Sequence, residues 1–143
     1  MTSSTPASSQ STPGRPLRIL YADDMKELRE LITIVLGRDG HTVESFANGN
    51  LALEKLNNAA PDHFDLVITD HHMPEMNGLE LVRRLRERTY RGKVMVFSSE
   101  ISPIVQEKYR QLAVDRILPK PIFPAQLRTS LRDLFAVAAT PSA

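Results

Sequence analysis

Five times along this chain a short apolar run gives way to a longer stretch whose apolar residues recur at helical spacing. The runs are 17–22 (LRILYA), 42–46 (TVESF), 64–69 (FDLVIT), 93–97 (KVMVF) and 116–118 (RIL). After the first, Leu28, Leu31, Ile32, Val35 and Leu36 fall at i, i+3, i+4, i+7 and i+8, and Gly37 and Gly40 bracket the end of that helix. A second helix over about 50–58 carries Leu51, Leu53 and Leu56. A third shows Leu79, Val82 and Leu85, a fourth Ile101, Val105, Tyr109 and Leu112, and a fifth Leu127, Leu131, Leu134 and Phe135. Strands alternating with helices through short loops predict a parallel sheet with helices on both faces. Right-handed crossovers reduce the topologies to a few, of which the doubly wound α/β sheet is the expected one.

Composition sets the limits of that fold. At 143 residues and 41% hydrophobic, the chain is the size of one domain able to bury a real core and has room for one site, which excludes a multidomain enzyme. A formal charge of +1 is too balanced for a polybasic binder of nucleic acid or of a membrane surface. Without cysteine there is no disulfide, thiolate-held metal or thiol catalysis, which fits a cytoplasmic location. The opening MTSSTPASSQ has neither the basic nor the apolar region of a signal peptide, and no apolar run approaches a membrane span. Twelve of the first sixteen residues are Ser, Thr, Pro or Gly, so 1–16 is expected to be a disordered tail, 17–137 the folded domain and 138–143 a second disordered end.

In a doubly wound sheet, ligands sit beyond the carboxyl ends of the strands. There the chain places Asp23-Asp24 after the first strand, Asp70 after the third, Ser98 after the fourth and Lys120 after the fifth. Each alone has a plain structural reading. Asp24 with Glu27 is also a helix-capping pattern, and Asp is favoured at a helix start by the dipole. Together, three carboxylates at one sheet edge repel one another unless a cation lies among them. An all-oxygen set points to a hard divalent ion, Mg²⁺ first.

The acidic pair in YADDM, the segment DHHMPEMNGLEL, Ser98-Ser99 and LPKP, in this order, resemble the receiver domain of bacterial response regulators of the chemotaxis-regulator type. The resemblance covers 17 to about 137 and implies a flavodoxin-like sheet of strand order 2-1-3-4-5 with five helices. By similarity, Asp70 is the phospho-accepting aspartate. Asp24 and Asp70 would ligate Mg²⁺ through their side chains, His72 through its backbone carbonyl, and Asp23 largely through water. Ser98 would hydrogen-bond one phosphoryl oxygen and Lys120 would pair with another, and Lys120-Pro121 would be cis. A carboxylate beside a cation stays ionised and can act as nucleophile, and phosphoryl transfer asks for little beyond positioning and positive charge. His72 and Glu100 would border the path of a hydrolytic water and set phosphoryl lifetime.

Departures from the pattern matter as much. Ile117 occupies the switch position where the family usually holds Tyr or Phe, so an aromatic ring cannot swing there. Ala113 stands where Gly is common before the last strand, which restricts that turn. A zinc site on His71-His72 is disfavoured because consecutive residues of an extended chain point to opposite sides. His41 and His63 read as loop or surface residues, and Met73, Pro74 and Met76 as loop packing.

The expected function is a phosphoacceptor switch rather than an enzyme. Its partners would be a histidine kinase or phosphotransfer protein and an unidentified output protein, with no nucleic acid and no membrane, as a monomer or weak dimer. The kinase is expected on the exposed face of the first helix (Lys26, Arg29, Glu30). Output or dimer contacts are expected around Lys108, Arg116 and Gln126. Three alternatives stay open on the sequence: a fragment of a larger regulator or hybrid kinase, a receiver retained only for binding, and a Mg²⁺-dependent phosphatase of the haloacid-dehalogenase kind. The last would want an acid where His72 stands.

Overall fold

A computed structural model describes residues 15–99 and 101–136. Five parallel strands, β1 (Arg18–Ala22), β2 (Thr42–Phe46), β3 (Leu66–Asp70), β4 (Lys93–Ser98) and β5 (Arg116–Pro119), form one sheet in the order β2-β1-β3-β4-β5. Helices α1 (Lys26–Arg38), α2 (Gly49–Asn57), α3 (Gly78–Glu87), α4 (Pro103–Gln111) and α5 (Pro124–Phe135) cover it. The doubly wound five-stranded sheet expected from the alternation of elements is the observed fold.

Parallel strands covered on both faces are buried on both, and β3 is buried at all five positions. Leu20, Val67, Val94 and Val96 look towards α2, α3 and α4. Ile19, Tyr21, Ile68, Met95 and Phe97 look towards α1 and α5, where Ile32, Leu36, Leu127 and Leu131 meet them. Burying a side chain of this size is worth about 1.5–3 kcal/mol, so the two cores carry the fold.

Some faces differ from the expectation. The α1 pattern over-counts its buried stripe, because Leu31 is exposed and Leu28 only half-buried. On α2, Leu51 is exposed and Ala52 and Leu53 are buried. That helix begins at Gly49, one residue early, because the Asn48 side chain accepts from Leu51 N at 2.9 Å and caps it. Strand β3 begins at Leu66, two residues later than predicted.

His41 is a plain correction, being 6% exposed. Its Nδ1 accepts the Leu17 N–H at 3.0 Å, satisfying a donor at the entrance to β1, and burial holds its imidazole pKa below the ordinary value. His63 is half-exposed, 3.8 Å from Glu44. Met73 and Met76 pack into the core, as expected of loop residues at this place, while Pro74 is exposed. Arg15, inside the span assigned to the tail, pairs with Asp65 at 2.8 Å. The rest of that segment, 1–14, and the end from 137 lie outside the described residues.

Two turns at the far end of the sheet share one partner. Half-buried Arg86, on α3, donates to the carbonyls of Tyr90 (2.8 Å), Gly92 (3.4 Å), Leu112 (2.8 Å) and Ala113 (2.9 Å). Ala113 itself has φ +61°, a left-handed backbone that favours glycine, so the restriction expected of alanine there is present.

Candidate functional site at the carboxyl edge of the sheet

The central strands β1 and β3 lie side by side, with Ala22 opposite Thr69. Their ends therefore deliver Asp23 and Asp70 to one place, and Asp23, Asp24 and Asp70 each offer a carboxylate oxygen within 4.8 Å of the others. Asp23 is fully buried and Asp70 nearly so, while Asp24 faces solvent. From the end of β5, Lys120 Nζ reaches Asp70 Oδ1 at 3.0 Å and lies 3.9 Å from Asp23 Oδ2. The peptide Lys120–Pro121 is cis, as the resemblance implied.

Asp23 is held from three directions. Tyr21 Oη donates to Oδ2 at 2.8 Å, Met25 N donates to Oδ1 at 2.9 Å, and Arg29 Nη1 donates to the backbone carbonyl at 2.7 Å. Burial, then the Asp23 charge, pushes the Tyr21 phenol far up, so it stays a donor at any ordinary pH. The capping reading of Asp24 with Glu27 is not what forms. Met25 is the N-cap of α1 and makes no side-chain cap, and it is Asp23 that takes the nearby amide. Arg29 is also a correction. It is half-buried and bonded to the acidic site, whereas Lys26 and Glu30 are exposed as expected of a docking face.

Asp70 is under opposing influences. Burial raises its carboxyl pKa, with Asp23 and then Asp24 acting in the same direction, while the Lys120 ammonium pulls it down; the raising effects win. The carboxylate is thus costly to keep ionised and poised to gain from added positive charge. Hard oxygen donors converging from β1 and β3 suit Mg²⁺, and among the described residues no nitrogen or sulfur ligand joins the cluster. Beside them Ser98, buried at the end of β4, has an Oγ with no hydrogen-bond partner among the described residues. A buried hydroxyl without a partner costs about 1–3 kcal/mol, which a ligand oxygen could recover. The donor set and this orphaned hydroxyl together fit a divalent cation with an oxyanion.

The other predicted residues fall as follows. His72 is exposed at the rim, lining a shallow depression with Asp24, Met73, Pro74 and Asn77. Its ring lies edge-on to that of His71, centroids 4.7 Å apart, because the strand ends at Asp70 and the chain turns; the opposite-sides expectation does not hold. Glu100 lies outside the described residues. Ile117 pairs with Val96 in register and packs half-buried against the core under α2, α3 and α4. On the face expected for output, Lys108 and Gln126 are exposed and Arg116 is half-buried, 3.8 Å from Asp133.

Reasoning from the sequence missed two side chains that hold the site: Tyr21 and Arg29. Tyr21 sits two residues before Asp23 and so on the same side of a strand, a readable signal. Arg29 reaches the site from a helix and leaves none.

A family model described as response regulator receiver domain matches residues 19–132. The sensory/regulatory protein RpfC of Xanthomonas campestris pv. campestris is 35% identical over 124 residues, which is 84% of this chain and 17% of that protein. The transcriptional regulatory protein CpxR homolog of Haemophilus influenzae is 32% identical over 125 residues, 87% of this chain and 53% of that protein. The chain thus spans about half or less of these curated relatives. Among solved structures, the chemotaxis protein CheY4 of Vibrio cholerae superposes with TM-score 0.77 at 28% identity, covering 84% of this chain and 99% of that one.

Proposed function

Because the chain belongs to the response regulator receiver domain family, we propose that it is a phosphoacceptor switch of a two-component phosphorelay, with Asp70 as acceptor. The observation that carries this is the convergence of three carboxylates, Lys120 Nζ at 3.0 Å from Asp70, and the unpartnered Ser98 hydroxyl at one sheet edge. The receiver unit is 17–137.

In this reading an Asp70 oxygen attacks the phosphorus of the donor, and the donor's own group leaves as the new P–O bond forms. Lys120 exchanges part of its pairing with Asp70 for a phosphoryl oxygen, and the Ser98 hydroxyl donates to another. Mg²⁺ would be held by Asp24, Asp70, the His72 carbonyl and, through water, Asp23; when bound it supplies positive charge against the transferring group. Tyr21 and Arg29 keep Asp23 fixed for that task. His72 borders the product and sets its lifetime, a task that similarity to the family also gives Glu100. The donor is a histidine kinase or phosphotransfer protein docking beside the site on α1, and the output partner meets the face of α4, β5 and α5.

A second reading concerns context. The chain spans 17% of one curated relative, 53% of another and 99% of the solved chemotaxis protein, so the length of the match does not separate a longer regulator from a stand-alone switch. Among the described residues no helix is long and apolar enough to cross a membrane. The test of the function is incubation with Mg²⁺ and acetyl phosphate followed by intact mass. One added phosphoryl group on the native chain and none on Asp70→Asn is expected; labelling of the variant would refute Asp70.

A further inference from the structure

His71 follows Asp70 and precedes His72, and its backbone is tied at both ends. Its N donates to Phe97 O at 2.9 Å and its carbonyl accepts from Gly78 N at 2.8 Å. The ring supplies a third tether: Nδ1 lies 2.5 Å from Tyr109 Oη, with the two rings edge-on at 5.5 Å. Tyr109 comes from α4, 38 residues further along, and is wholly buried.

The packing there has no slack. A Cβ on Gly78 would meet Asp70 O at 2.6 Å, Tyr109 Oη at 2.9 Å and His71 Cα at 3.0 Å. The hydroxyl of Tyr109, the backbone leaving β3 and the start of α3 therefore form one knot. Its neighbourhood to the acidic site is also electrical. Burial does most to raise the Tyr109 phenol, and the Asp70 charge adds to it.

Buried tyrosines generally need a partner for the hydroxyl, and a purely structural role would stop at that. Such a role predicts a loss of stability and nothing else. The placement of this partner, between the proposed acceptor and a proposed cation ligand, carries more. We propose that Tyr109 is a positioning residue of the acidic site: through His71 it fixes the backbone from Asp70 to the His72 carbonyl, and so sets the affinity for a divalent cation. The proposal rests on the cation site described under Proposed function.

Tyr109→Phe keeps the ring and removes the hydroxyl. Mg²⁺ titrations followed by backbone amide shifts should show half-saturation rising about 3- to 10-fold, the worth of one hydrogen bond. In a His71→Leu background the same change should move it less than about 2-fold, because the route is already cut. Unchanged half-saturation in Tyr109→Phe, or the same factor in both backgrounds, overturns the proposal. Should His71→Leu not fold, the His71 and His72 amides of Tyr109→Phe without metal replace the cycle, and their coincidence with wild type is the overturning result. A native chain that never saturates with Mg²⁺ sinks the cation site along with this proposal. A native chain that saturates, beside an unaltered Tyr109→Phe, sinks this proposal alone.

Discussion

Replacing Asp70 by asparagine should make the metal-free protein more stable. The ion pair with Lys120 at 3.0 Å attracts by about 5 kcal/mol at an effective dielectric of 20. Repulsion from Asp23, within 4.8 Å, comes to about 3.5 kcal/mol or more on the same scale, and the exposed Asp24 adds about 1 kcal/mol after screening. The pairwise charges nearly cancel, leaving the cost of burying a carboxylate that is 3% exposed. That cost is several kcal/mol for a deep ion, and about 1–2 kcal/mol is a reasonable share for one at a rim. Asparagine has the same shape and no charge, and Lys120 keeps Asp23 at 3.9 Å. Less the residual attraction of about 0.5 kcal/mol, at about 4 °C per kcal/mol Tm should rise by about 2–6 °C at pH 7.5 in EDTA. The pH dependence fixes the sign. The folded-state pKa of Asp70 is raised, so its contribution is most favourable below the unfolded carboxylate pKa and is lost as pH rises through the folded one. The advantage of the variant should therefore shrink towards pH 4, and shrink also with millimolar Mg²⁺ at pH 7.5. Scanning fluorimetry across pH and Mg²⁺ measures both. A less stable Asp70→Asn, or a difference indifferent to pH, would refute the reasoning.

Lys120→Met should do the reverse, depriving two buried carboxylates of their shared ammonium and costing about 2–4 kcal/mol, with part of the loss in Tm restored by Mg²⁺; an unchanged melting curve would contradict this. His41 should make the protein acid-sensitive. Its folded pKa is lowered by burial, so the unfolded state binds the extra proton and stability falls as pH drops through about 6.5, by at most about 1.4 kcal/mol per pH unit for this group. Urea unfolding at pH 7.5, 6.5 and 5.5 should show a slope that His41→Gln flattens, and an identical slope in that variant would count against the assignment. Ala113→Gly should stabilise by about 0.5–1 kcal/mol, because relief of the left-handed strain exceeds the added freedom of the unfolded chain. A lower urea midpoint in that variant would mean the strain is not there.

The order of strands and helices was legible because each element announces itself locally, in a short run of three to six residues with apolar members or in a stripe at helical spacing. The acidic cluster was legible for a related reason: strands β1 and β3 are adjacent, so whatever ends them must meet. What escaped was fixed by distant partners. The burial of His41 depends on Leu17, 24 residues earlier. The pinning of His71 depends on Tyr109, and nothing in the spacing of Ile101, Val105, Tyr109 and Leu112 says that the aromatic member carries a polar task. Arg29 looked like a solvated charge on a helix, and only the closeness of the first turn of α1 to the end of β1 turns it inwards. Leu31 and Leu51 misled in the opposite sense, since a leucine at helical spacing does not reveal where the buried stripe stops.

The guanidinium of Arg86 collects carbonyls from two turns that lie about twenty residues apart, at Tyr90 and Gly92 and at Leu112 and Ala113. A lysine could not replace it, since one ammonium cannot span four acceptors in a fixed plane. The two turns are therefore mechanically one part. A residue inserted in either would strip acceptors from the other, and lengths tolerated at one are constrained by the other. Anyone wishing to open this chain, to split it, permute it or seat a reporter within it, should leave both turns intact. The better place is the connection through Ala60, Pro61 and Asp62, which is exposed and holds no such shared joint.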